Sequence, residues 1–194
     1  MTTMPALPAL AEELHQSTRQ LHRELNHHPI LSRLTSQNVS EGDYAAALAA
    51  LRGPQAVLED DLACFAAPGM NTPFRPRLAE LDSDLRGLGR SAYPLTIASP
   101  HSCSLETWLG IRYVLEGSRL GGAILFRHLR PRLMQLPMSF FENAERYGNI
   151  CWTAFWQEIS DLHLSLNAEK VSKSAQDCFA LYLEHLSRCH KFST

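Results

Sequence analysis

The chain has 194 residues, 45% hydrophobic and 20% charged, which is enough apolar material for one sizeable core. Its formal net charge of −2 argues against the basic footprint of a nucleic-acid-binding protein. No run nears the roughly 20 consecutive apolar residues a membrane helix requires, and the opening Met1-Thr2-Thr3-Met4-Pro5 does not read as a secretory leader.

Helical periodicity dominates from the start. Leu7, Leu10, Leu14, Leu21 and Leu25 share one helical face, with Thr18 filling the gap, and Pro29 sets a boundary. Ser40-Glu41-Gly42-Asp43 resembles a capping box and opens a second helix carrying Tyr44, Leu48, Leu51, Leu58, Leu62 and Phe65, with Gln55 as the single polar interruption. Gly53-Pro54 inside that pattern predicts a kink or a break into two helices. Residues 66–73 read as a loop. Leu78, Leu81, Leu85 and Leu88 predict a short helix ending at Gly87 or Gly89, and residues 93–103, with two prolines, a second loop. From Ser104 to about Leu129 the apolar residues cover more than one face, so that helix is expected to be central, with Pro131 limiting it. Residues 137–149 read as irregular, and helices near 150–162 and 168–190 close the chain. The expected fold is all-α, a multi-helix bundle forming a single domain over residues 1–194.

The most informative stretch is Tyr113-Val114-Leu115-Glu116-Gly117-Ser118-Arg119-Leu120-Gly121-Gly122. Three glycines in six residues forgo roughly 3 kcal/mol of helix propensity, at about 1 kcal/mol each. Two explanations stand side by side. Gly117 and Gly121 share a face and could serve close helix packing, or a flat ligand lies directly against the backbone there.

This stretch resembles the distal-helix signature of bacterial heme oxygenases, especially the bacteriophytochrome-associated type. Ser17-Thr18-Arg19-Gln20-Leu21-His22 resembles the family's proximal helix, where Thr-x-x-x-His carries the axial histidine, and Val39-Ser40-x-x-Asp43-Tyr44 falls where the family begins its second helix. The resemblance implies heme, as both cofactor and substrate, held between a proximal helix and a kinked distal helix. It implies His22 as iron ligand, with Gly117, Ser118 and Gly121 forming the catalytic side. His15, Arg19, Tyr113 and Gly122 join Gly117, Ser118 and Gly121 as heme-binding residues, with His15 and Tyr113 near propionates. Arg112 and Arg119 are further charge partners to consider. The implied reaction uses O₂ and electrons from a ferredoxin or reductase and yields biliverdin, carbon monoxide and ferrous iron, with a bacteriophytochrome as an acceptor of the biliverdin. Mammalian-type members carry an aspartate where this chain has Ser118, so an ordered water chain would have to deliver protons.

Other readings compete. Of nine histidines, His27-His28 resembles a solvated helix end, and His163, His185 and His190 stand in no motif. Glu12/His15 and Glu24/His27 have the spacing of di-iron ligands, but that architecture needs such pairs on two helices. Five cysteines (Cys64, Cys103, Cys151, Cys178 and Cys189) lack any Cys-x-x-Cys pair and read as buried, reduced thiols of a cytoplasmic protein. Cys64 and Cys151 are the candidates for a thiaminase-type nucleophile. A heme-binding or heme-sensing protein without turnover is the non-enzymatic alternative.

Overall fold

The computed structural model describes residues 7–64, 74–161 and 166–193. Among them are seven α-helices and no strand: α1 (Leu7–His27), α2 (Pro29–Ser32), a 3-10 turn at Arg33–Thr35, α3 (Glu41–Cys64), α4 (Leu78–Gly87), α5 (Leu105–Leu129), α6 (Ser139–Asp161) and α7 (Ala168–Ser193). The expected loop at 66–73, Phe65 and His163 lie outside the described residues, as does the side chain of Cys64.

Local chemistry sets most helix ends. Ser40 and Asp43 exchange hydrogen bonds at the start of α3, Asp43 N–H donating to Ser40 Oγ (3.1 Å) and Ser40 N–H to Asp43 Oδ2 (3.0 Å). Ser104 caps α5 by accepting from Thr107 N–H. Gly89, with φ of 61°, closes α4 in the left-handed region, and Arg90 N–H reaches back to the Leu85 carbonyl at 2.9 Å. Pro29 starts α2 at a position where no N–H is needed. His28 is buried and accepts from Ile30 N–H there, which corrects its reading as a solvated helix end.

One expectation fails for a physical reason, and a second loses one of its two alternatives. Residues 139–149 are not irregular: they form the first half of α6, continuous to Asp161. Their helix start is secured by Asp84, whose buried carboxylate accepts from Ser139 and Phe140 N–H at 2.9 Å each. That cap lies 55 residues away in sequence and leaves no local signal. The break allowed at Gly53-Pro54 does not occur, since α3 runs through Pro54. Gly53 instead admits the His185 ring, which would stand 2.7 Å from a Cβ at that position.

Helix α5 is the centre, packed on α6, α7 and α3, while α1 rests on α7. Gly110 lets α5 approach α7 so closely that a Cβ would meet Ser174 Cβ and the Val171 carbonyl, both at 2.6 Å. Gly122 does the same toward α6, where a Cβ would stand 2.9 Å from Ala144 Cβ. Between α5 and α6 lies a buried ion network. Arg112 Nη1 donates to Glu158 Oε2 (2.7 Å), and Arg119 Nε to Glu116 Oε2 (2.7 Å). These arginines are committed to the core, so neither is available to a propionate, which overturns that option.

Candidate functional site

Two bridges tie α5 to α1 and to the turn that follows it. The Tyr113 hydroxyl hydrogen-bonds the Thr18 side chain, and Thr18 Oγ1 donates onward to the Leu14 carbonyl at 2.6 Å. At the other end His128 Nε2 meets the Ser36 carbonyl (3.1 Å), just past the 3-10 turn that follows α1 and α2. Both helices therefore run from the Tyr113–Thr18 bond toward residues 28–36. Between the bridges they stay apart, with no Cα of α1 within 8 Å of any Cα of α5.

The first bridge also sets a register. His22 lies four residues beyond Thr18 and Gly117 four beyond Tyr113, so each stands about 6 Å further along its helix. His22 is exposed, with its ring edge-on to Phe179 at 5.8 Å. Its Nδ1 is 3.4 Å from the Asn26 side-chain amide, and Nε2 has no partner among the described residues. Partial burial, and then His15, hold its pKa below the usual imidazole value, so the ring is neutral at pH 7, the form that binds a metal. His15, seven residues earlier, and Arg19 are exposed on the same helix. Tyr113 packs against Trp152 and Trp156 (5.6 and 6.2 Å), and burial raises its pKa while the bond with Thr18 lowers it, leaving a neutral phenol beside Thr18.

The glycines of α5 now separate. A Cβ at Gly122 is excluded by α6, so that glycine serves helix packing. At Gly117 a Cβ would make ordinary contact with Trp152 (3.5 Å), and at Gly121 it would meet nothing within 4 Å among the described residues. Gly121 is exposed, as are Ser118 before it and Ile124 after it along the same stripe. Helix packing therefore does not explain Gly121. The helix leaves bare backbone and an apolar side chain facing open space, as a flat apolar ligand requires. Ser118 Oγ donates to the Leu115 carbonyl at 2.7 Å and accepts from Arg77 Nη2 at 2.6 Å.

Arg77 was not legible as a site residue, because it sits in an unpatterned segment beside Pro76. It belongs to a buried polar group with Glu59, Gln55 and Tyr182. Arg77 N–H and Gln55 Nε2 both donate to Glu59 Oε1 (2.7 Å), and Tyr182 Oη donates to Gln55 Oε1 (3.0 Å). Gln55, the single polar residue in the apolar face of α3, was the one sequence signal pointing here. His101 was also missed: it bonds Asp61 through Nδ1 (3.0 Å) and approaches Cys178 Sγ through Nε2 (3.6 Å). Among the described residues no group of three His, Cys, Asp or Glu side chains is placed to hold a metal ion. Burial, then Glu116, raises the Cys151 pKa, so it is not an activated nucleophile. Cys178 and Cys189 are buried as expected, but Cys103 is exposed, a correction to its reading as a core thiol.

The profile of the heme oxygenase family matches residues 8–188. The chain belongs to the heme oxygenase family. A heme oxygenase of Xanthomonas campestris pv. campestris (strain 8004) is 37% identical over 99 residues, spanning 49% of this chain and 56% of that protein. The chain thus matches little more than half the length of this curated relative. The NO- and CO-bound heme oxygenase of Neisseria meningitidis has a similar fold, with a TM-score of 0.72 at 21% identity, covering 94% of this chain and 92% of that one. The heme-complexed heme oxygenase-1 of the cyanobacterium Synechocystis sp. PCC6803 follows at 0.67 and 17%, covering 94% and 93%. The all-α expectation is borne out by both.

Proposed function

We propose that this heme oxygenase family member binds heme between α1 and α5 and degrades it to biliverdin, carbon monoxide and ferrous iron. The observation that carries this is the register: a neutral His22 with a free Nε2 stands level with the exposed stretch of α5, and the two helices are held apart there. The donor set fits heme, with one imidazole on one side and bare helix backbone at Gly121 on the other. Bound there, heme would supply both the iron that activates O₂ and the porphyrin carbon that is oxidised.

The chain's own residues do the rest. His22 would hold the heme iron from the α1 side. Gly121 leaves room beside the backbone, while Gly117 keeps Trp152 in contact with the helix and Gly122 anchors it to α6. Ser118 presents an oxygen to the open face, where it holds a water rather than delivering a proton of its own, since that proton is engaged with Leu115. His15 and Arg19 lie on the exposed side of α1, suited to carboxylate groups at the rim. Tyr113, bonded to Thr18, acts as the strut at the inner end. Electrons come from outside, from a ferredoxin or a reductase, and a bacteriophytochrome is the acceptor we assign to the biliverdin. The setting we assign is cytoplasmic, in keeping with the free Cys103, Cys151, Cys178 and Cys189.

One observation favours a second reading. The Ser118 hydroxyl is committed to two partners, so a protein that holds heme without turnover would show the same geometry. A single experiment separates them: hemin is added to the purified protein, the Soret band is recorded, and ascorbate or a reductase is supplied under air. A histidine-type spectrum decaying to a biliverdin band supports the enzyme, a stable one supports a binding protein, and no Soret change overturns both.

A further inference from the structure

One face of α3 carries almost no side chains. Gly42, Ala45, Ala46, Ala49 and Gly53 recur every three or four residues and form a single stripe. Arg90, Ser91 and Tyr93, just after α4, pass over the first four of them and leave a cavity of about 310 Å³, at the lower end for a small-molecule site. The Tyr93 ring is edge-on to Phe192 at 6.0 Å, which ties this roof to α7. Gly53 lies one turn beyond Ala49, and the His185 ring of α7 rests on it, 2.7 Å from where a Cβ would stand. His185 is 2% exposed, and neither ring nitrogen has a hydrogen-bond partner among the described residues. Buried polar atoms are nearly always satisfied, so a bare pair calls for an explanation. Burial, then Arg188, lowers the His185 pKa against the opposite pull of Glu184. The ring is therefore neutral at pH 7, with one nitrogen a donor and the other an acceptor. At the other end of the stripe Arg90 is exposed, and none of the ion pairs among the described residues involves it. Its backbone N–H is bonded to the Leu85 carbonyl at 2.9 Å, which holds the residue at the cavity rim.

Two polar ends joined by an apolar floor define the chemistry of a ligand. From Gly42 to Gly53 the stripe runs about 16 Å, at 1.5 Å per residue. We infer that this groove binds an unbranched chain molecule with a carboxylate at the Arg90 end and a hydroxyl at the His185 end, an ω-hydroxy fatty acid in chemical class. A carboxylate accepts two parallel N–H bonds from a guanidinium, the pairing for which arginine is best shaped. The methylenes lie along Ala45, Ala46 and Ala49 beneath Tyr93, where a side chain larger than alanine would leave no room. A hydroxyl both donates and accepts, so it satisfies His185 in either tautomer. The groove shares no residue with the α1–α5 cleft, and the inference does not depend on heme.

The test is isothermal titration calorimetry with ω-hydroxydodecanoate, dodecanoate and dodecanol, on the protein with and without hemin. ω-Hydroxydodecanoate is expected to bind about threefold or more tighter than dodecanoate, the effect of one added hydrogen bond. R90Q should weaken dodecanoate by about tenfold or more, because its bonds to the guanidinium are charge-assisted, and leave dodecanol unchanged. H185L should remove the preference for the hydroxyl. A46F, at a partly exposed position on the floor, should abolish binding of all three probes. No binding of ω-hydroxydodecanoate by wild type overturns the inference, and so does an affinity left unchanged by R90Q or by A46F. A hydroxyl preference that survives in H185L overturns it too, since the far end of the chain would then lie elsewhere. Competition between hemin and the probes would move them to the α1–α5 cleft and likewise overturn the assignment. Neither Arg90 nor Ala46 is buried, so R90Q and A46F decide the question even if H185L fails to fold.

Discussion

The separation of the α5 glycines makes a stability prediction whose sign differs from one position to the next. Alanine is favoured over glycine inside a helix by about 1 kcal/mol. At Gly121 the added methyl meets nothing within 4 Å among the described residues, so G121A keeps that gain in heme-free protein. At Gly122 the methyl lands 2.9 Å from Ala144 Cβ, a short side chain that moves only if α6 moves. Overpacking of that kind costs roughly 1–3 kcal/mol, which offsets the propensity gain and leaves a net loss of up to about 2 kcal/mol. At Gly110 the clash is at 2.6 Å and includes the Val171 carbonyl, so the loss should be largest there. For a chain of this size 1 kcal/mol moves Tm by about 2–4 °C. Circular-dichroism melts of the heme-free proteins should rank G121A above wild type, then G122A, then G110A. In hemin titrations the order of the first two should reverse, because the methyl at Gly121 occupies the face left open for the ligand. A heme-free G121A that melts below wild type would refute the reasoning, since Gly121 would then be sealed by packing like its neighbour.

His22→Ala should abolish the histidine-type Soret spectrum and turnover, and a retained spectrum would reassign the ligand. Burial lowers the pKa of His28 and His185 below the usual 6.5, with His190 and Arg188 next in effect. The unfolded chain then takes up protons before the folded one, so these two rings oppose folding as pH falls through about 6.5 and are neutral in effect above it. Urea midpoints at pH 7.5 and 5.5 should show the decline, and H185L should flatten it; an equal slope in H185L would refute the assignment. Glu158→Ala leaves Arg112 with its 2.7 Å partner removed in a buried site, a loss of about 3–5 kcal/mol by urea denaturation. Alkylation mapped by mass spectrometry should label Cys103 in the native protein and spare Cys178 and Cys189 until unfolding.

What could be read from the sequence follows the range of the forces involved. Helices α1, α4, α5 and α7 rest on apolar periodicity and local caps, and each was visible in the order of residues. The first half of α6 was not, because Phe140, Phe141 and Ala144 make no leucine stripe and the cap comes from Asp84 across the chain. His22 and the glycine stretch were recognisable by type and spacing. Which glycine packs and which opens was not, since Gly121 and Gly122 are adjacent and differ only in what stands opposite. Arg112 and Arg119, each three or four residues from Glu116, carry the pattern of surface pairs on a helix. Only tertiary packing shows that both are 1% exposed or less and unavailable to a ligand.

The two sides of α5 explain each other. Toward α6 and α7 the helix is locked by the close approaches at Gly110 and Gly122, by the Arg112–Glu158 pair and by the bond from Arg119 to Asn143 of α6. Such contacts are demanding, because a buried ion is tolerated only when its partner is held in place. Among the described residues the side around Ser118, Gly121 and Ile124 has no such contacts, yet the proposed function needs it to stay in position. A helix with three glycines in six residues would not do that through its own propensity. The rigidity has to come from the packed side, and Arg77 carries it across: its backbone is tied to Glu59 of α3 while its guanidinium reaches Ser118. A substitution in the α5–α6 network, well away from the open face, should therefore loosen the site before it unfolds the protein. In Glu158→Gln, which keeps the shape of the side chain but not its charge, heme affinity should fall more than the loss in heme-free stability alone would require. An affinity unchanged while stability drops would show that the open face holds its form without support from behind.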